Sequence, residues 1–85
     1  MEHDYYAEVP GRIYDETPTI NAELAKRPGL RVFVEWGWNA HAYAALRYPK
    51  DHGDELVPEH LDAYGSGITT RAALLDLERS LKENS

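Results

Sequence analysis

Apolar and polar residues alternate from Leu30 to Trp38, with Leu30, Val32, Val34 and Trp36 on one side and Arg31, Phe33 and Glu35 on the other. Successive side chains of a strand leave on opposite faces, so this pattern predicts a half-buried strand. It recurs from His41 to Tyr48, grouping Ala42, Ala44, Leu46 and Tyr48 against His41, Tyr43, Ala45 and Arg47. Two such runs this close predict a hairpin. A one-residue slip would exchange the faces of a strand, so the faces decide the register. A two-residue loop at Asn39-Ala40 would set Val34 beside Ala45 and Trp36 beside Tyr43, mixing the two faces. A three-residue turn over Trp38, Asn39 and Ala40 instead pairs Trp36 with Ala42, Val34 with Ala44, Val32 with Leu46 and Leu30 with Tyr48. The second register builds one continuous apolar face. Its turn needs a left-handed position, which we assign to Asn39 because asparagine tolerates it well. The register also sets Arg31 opposite Arg47 on the other face, a like-charge cost.

After the glycines of Gly65-Ser66-Gly67, apolar residues recur at helical spacing as Ala73, Leu74, Leu77 and Leu81. They predict an amphipathic C-terminal helix capped by Thr69 or Thr70, with Asp76–Arg79 and Glu78–Lys82 as surface ion pairs. A short helix is expected at 22–27, capped by Asn21 and stopped by Pro28-Gly29. Between hairpin and C-terminal helix lies the polar loop PKDHGDELVPE, then a short third strand at about 60–64. Residues 1–20 read as an acidic arm, with room for one edge strand. The expected fold is α+β, one domain over 1–85: an antiparallel sheet of three or four strands packed on one C-terminal helix, with the folded core at 30–82.

Composition refines this picture mainly through charge. The net charge of −6 is concentrated, with −4 in residues 1–18 and −4 in 49–64, while 19–48 carry +2. Direct binding to nucleic acid needs clustered Lys and Arg, so a basic protein is the expected partner. The absence of cysteine and of a basic-then-apolar N-terminus fits a cytoplasmic protein. No apolar run approaches the roughly 20 residues that cross a bilayer.

Hairpin, acidic loop, short strand, Gly-x-x-Thr and amphipathic helix follow one another in this chain. The hairpin is VFVEWGW and HAYAALRY, followed by Pro58, Leu61, Tyr64, Gly67, Thr69 or Thr70, Ala73 and Leu74. Over about residues 30–82 this order resembles the HicB-like antitoxin domain. The resemblance implies a domain that masks a small basic RNA-cleaving toxin by protein contact. That family adds a strand after the helix; here the N-terminal arm would have to replace it, or the sheet stays smaller. Nothing in this chain corresponds to the separate DNA-binding segment that many of its members carry.

The chemistry-bearing residues form no catalytic pattern. There is no cysteine, no Gly-x-Ser-x-Gly elbow and no phosphate-binding glycine loop, so no catalytic residue and no cofactor is assigned. His3, His41, His52 and His60 include no pair one helical turn apart, and no metal site is expected even with Asp51, Asp54 and Glu55 near His52. Glu35 and His41 could meet across the hairpin, as a surface salt bridge before an acid–base pair. Trp36 and Tyr48 belong to the core. Phe33, Tyr43 and the turn residue Trp38 do not, and either form an interface or are covered by the arm. Candidate partner-binding residues are therefore Phe33, Glu35, Trp38, His41 and Tyr43 on the open face, with Asp51, Asp54 and Glu55 in the acidic loop. Three roles fit: an antitoxin-like inhibitor, a phage-type inhibitor imitating nucleic-acid charge, and a subunit that homodimerises through strand edges or the open face.

Overall fold

A computed structural model describes residues 3–5, 15–37, 39–49 and 56–84. Two six-residue strands, β2 (Arg31–Trp36) and β3 (Ala42–Arg47), form the central hairpin. Their ladder runs from Arg31↔Arg47 through Val32↔Leu46 and Val34↔Ala44 to Trp36↔Ala42, the register that the apolar face requires. Flanking them are β1 (His3–Tyr5), antiparallel to β2, and β4 (Gly65–Gly67), antiparallel to β3, giving the sheet order β1-β2-β3-β4. The fourth strand thus comes from the N-terminal arm, with Asp4 opposite Val34.

The turn corrects one expectation. The Ala40 amide donates to the Gly37 carbonyl at 3.2 Å and the Gly37 amide to that of His41 at 2.9 Å, closing a three-residue loop. Its left-handed residue is Ala40, at φ 59°, rather than Asn39. In such a loop the last position must turn left whatever residue occupies it. Asn39 serves by its side chain, whose Oδ1 accepts from the His41 amide at 3.3 Å. Relieving the Cβ strain at position 40 with Ala40→Gly should stabilise the chain by about 1 kcal/mol, read as a higher urea midpoint at unchanged slope.

Helix α1 (Pro18–Lys26) begins earlier than the expected 22–27, and Asn21 is inside it rather than at its cap. Pro18 stands in the first turn, where its missing N–H costs nothing and its fixed φ suits the helix. Ile20 and Leu24, one turn apart, enter the core. Gly29, at φ 89°, then turns the chain into β2. Helix α2 (Thr70–Asn84) starts where Thr69 Oγ1 accepts from the Ala72 amide at 3.0 Å, and it buries Ala73, Leu74, Leu77 and Leu81. Both helices pack on the sheet face formed by Val32, Val34, Ala42, Ala44 and Leu46, and Leu30 and Leu61 complete the core.

The third strand of the hairpin side lies later than expected. Residues Glu59–Leu61 form a 3-10 turn that buries Leu61, and the strand itself is Gly65–Gly67. A strand occurs there because α2 lies directly on its backbone, where no side chain fits. A Cβ on Gly65 would stand 2.1 Å from the Leu77 nitrogen and 2.2 Å from the Ala73 oxygen.

Two helix carboxylates bind backbone amides far from them in sequence. Asp76 Oδ2 accepts from the Ser66 amide at 2.9 Å, which covers β4 on the side away from β3. Arg79 holds Asp76 through Nη2 at 2.7 Å, the ion pair that helical spacing predicts. Glu78 is not a surface residue: it is 3% exposed and accepts from the amides of Thr19 and Ile20, each at 2.9 Å. Its partner Lys82 stays at 3.8 Å and mostly in water. Thr17, at the N-cap of α1, makes no side-chain cap bond, so a carboxylate from α2 does the capping across the core.

Among the described residues, the carboxyls of Asp76 and Glu23 sit below their ordinary values. For Asp76 the Ser66 amide is the larger cause and Arg79 the next. For Glu23 burial pushes upward, but bonds from Arg27 and Lys26 outweigh it. Groups depressed in the folded state stabilise it above their unfolded values and lose that contribution as pH falls through the folded ones. Stability should therefore decline on acidification, starting near the ordinary values of 4.5 and 3.8. A melting temperature measured against pH should show a flatter acid limb in Asp76→Asn than in the wild type.

Candidate partner-binding face

The face of the hairpin away from the helices carries Arg31, Phe33 and Glu35 on β2 and Tyr43, Ala45 and Arg47 on β3, because side chains alternate along each strand. Phe33 and Tyr43 are half-buried. Phe33 stands opposite Ala45 on one side and Tyr5 on the other, and Glu35 opposite Tyr43 and His3. Ala45, on the same face, is buried.

Glu35 and His41 do not form the expected pair. His41 lies beyond the end of the ladder, and its ring nitrogen Nδ1 is 3.2 Å from the Asn39 carbonyl. Asn39 Nδ2 donates to the Tyr43 hydroxyl at 3.2 Å, so the turn fixes the tip of the Tyr43 ring. Of the residues singled out from sequence, Phe33, Glu35 and Tyr43 share this face and His41 adjoins it at the turn. Trp38, Asp51, Asp54 and Glu55 lie outside the described residues.

Arginines organise the far end of the same face. Arg31 Nη1 donates to the Leu30 carbonyl at 3.0 Å, and Arg47 Nη1 to the Leu46 carbonyl at 2.7 Å. Each guanidinium is thus held by the carbonyl of the preceding residue. Arg47 Nη2 also donates to the Tyr64 hydroxyl at 3.1 Å and pairs with Asp62 at 3.3 Å, while its guanidinium carbon is 5.3 Å from the Tyr64 ring centroid. Tyr64, 62% exposed, was not among the expected site residues, and nothing in its local sequence marks it.

The acidic segment contributes Glu59 and Asp62, which with His60 and Asn84 line a shallow, open hollow. Among the described residues no group of three His, Cys, Asp or Glu side chains is placed to hold a metal ion. No described helix is long and apolar enough to cross a membrane. No protein-family model matches the chain, and neither a curated protein nor a solved structure is significantly similar to it.

Proposed function

We propose that this chain is a non-catalytic protein-binding module that inhibits a basic or nucleic-acid-handling partner, in the manner of an antitoxin, by docking it on the open face of the hairpin. The observation that carries this proposal is the one-sidedness of the fold among the described residues. Both helices lie on one face of the sheet, and the opposite face presents Phe33 and Tyr43 between charged groups. Aromatic anchors ringed by polar groups are the usual energetic centre of protein interfaces. The net charge of −6, concentrated in 1–18 and 49–64, would favour a basic partner and quicken its association.

The test compares capture of protein from the native host by tagged wild type, Phe33→Ala, Tyr43→Ala and an α1 surface control, Ala25→Ser. All four should first be shown to be folded by circular dichroism. The proposal expects a captured partner whose yield falls more than about tenfold in both aromatic variants, the loss of about 1.4 kcal/mol or more of binding free energy, and holds in the control. Full capture by both aromatic variants would refute it.

A further inference from the structure

The open face carries a feature that a surface built only to meet cations would avoid. Arg31 and Arg47 are directly opposed in the β2–β3 ladder, where facing side chains start about 5 Å apart and like charges destabilise. Arg47 shares its charge with Asp62, but Arg31 forms no ion pair among the described residues. Among the described residues its one bond runs from Nη1 to the Leu30 carbonyl, and none of them engages the Nε–Nη2 edge of the guanidinium. That edge presents two parallel N–H groups, the geometry that a carboxylate takes in bidentate fashion. Clamping by the preceding carbonyl orients the fork in advance, and Arg47, steadied by the Tyr64 hydroxyl and Asp62, stands beside it.

We propose that Arg31, backed by Arg47, receives a carboxylate side chain of the protein partner. The proposal rests on the open face being the docking surface and adds which chemical group the partner must place there. Charge complementarity selects an anion, since an ion pair would cancel the repulsion built into the ladder. The neighbours select a protein carboxylate over a nucleic-acid phosphate. Phe33 and Ala45 are the next cross-strand pair on this face, an apolar floor suited to a side chain among hydrophobic neighbours. A polyanion would also meet the net charge of −6. The partner is therefore basic overall but carries at least one acidic residue flanked by apolar ones at its contact surface.

The test is an NMR titration of the full chain, following the Arg31 Nε–Hε resonance. The probes are the blocked peptide acetyl-Leu-Glu-Leu-amide, its Gln counterpart and inorganic phosphate, at matched ionic strength. The Glu peptide should shift the Arg31 resonance saturably, and the Gln peptide and phosphate should not. Arg31→Gln should abolish the peptide-induced shifts in neighbouring amides, yet raise the melting temperature of the free chain by about 1–3 °C by removing the like-charge pair. Equal shifts with the Gln peptide, or shifts with phosphate as large as with the Glu peptide, would overturn the proposal. So would a lower melting temperature in Arg31→Gln, which would make the side chain structural. A host partner lost by Phe33→Ala but retained in full by Arg31→Gln would refute the carboxylate site alone and leave the docking face standing.

Discussion

Gly65→Ala should destabilise the fold by at least about 3 kcal/mol. The added Cβ would meet three backbone atoms of α2: the Leu77 nitrogen at 2.1 Å, the Ala73 oxygen at 2.2 Å and the Leu77 Cα at 2.6 Å. Backbone in mid-helix cannot swing aside as a side-chain tip can, so α2 would have to lift from the sheet and take Ala73, Leu74 and Leu77 with it. Overpacking a core commonly costs about 1–3 kcal/mol and more where nothing can yield. A domain of this size has only about 4–13 kcal/mol in total, and we expect at least about 3 to be lost. The cause is space rather than backbone conformation, because Gly65 has no left-handed φ. Gly67→Ala should cost less, since its obstacles, the Ala72 methyl at 2.5 Å and the Ala72 carbonyl carbon and Ala73 nitrogen at 2.9 Å, stand further off. Ser66→Ala, between them and exposed, should change stability by no more than about 0.5 kcal/mol. Urea denaturation of the three variants should return that order.

Glu78→Ala should be the second most damaging of these changes, at about 3 kcal/mol. It removes the acceptor for the Thr19 and Ile20 amides and leaves two donors at the start of α1 unsatisfied, the Ile20 bond being buried. An orphaned buried donor costs about 1–3 kcal/mol, and the negative charge near the positive end of the helix dipole is lost as well. Glu78→Gln keeps one acceptor oxygen and should lose about half as much. Lys82→Ala should change stability by no more than about 0.5 kcal/mol, because the lysine is exposed and distant. Hydrogen exchange gives the distinguishing signature: in Glu78→Ala, protection should fall first in α1, with the β2–β3 hairpin following only at global unfolding. Uniform loss over both would mean that the carboxylate does not act as a cap.

The same residues explain what could be read in advance. The hairpin register followed from period-two alternation because only one pairing keeps Val32, Val34, Ala44 and Leu46 on one face. The buried stripe of α2 followed from Ala73, Leu74, Leu77 and Leu81 for the same reason. Both are local patterns tied to a single apolar surface. The start of α1 was not legible, since its cap is a side chain 58 residues further along. Strand β4 was not legible either. It consists of glycine, serine and glycine, and periodicity cannot be seen in a strand whose defining property is the absence of side chains. The strand expected at about 60–64 falls several residues too early, because Leu61 is buried by a 3-10 turn. At the turn, asparagine's tolerance of left-handed geometry pointed to residue 39, but loop length forced it on residue 40.

Legibility of the candidate face was also divided. Alternation placed Phe33, Glu35 and Tyr43 together and set Arg31 against Arg47, since those positions follow from register alone. The separation of His41 from Glu35 did not follow from it, because it depends on how the turn side chains bond to one another. The orientation of Arg47 by Tyr64 and Asp62 depends on where the chain after the 3-10 turn crosses the end of β3, which no local pattern encodes.

Site-specific photo-crosslinking in the native host tests the docking face most directly. A benzophenone amino acid would be placed at position 43, on the open face, or at position 75, on the exposed side of α2. The proposed function predicts a discrete heterologous adduct from position 43 and none from position 75. An adduct from position 75 with none from position 43 would contradict it.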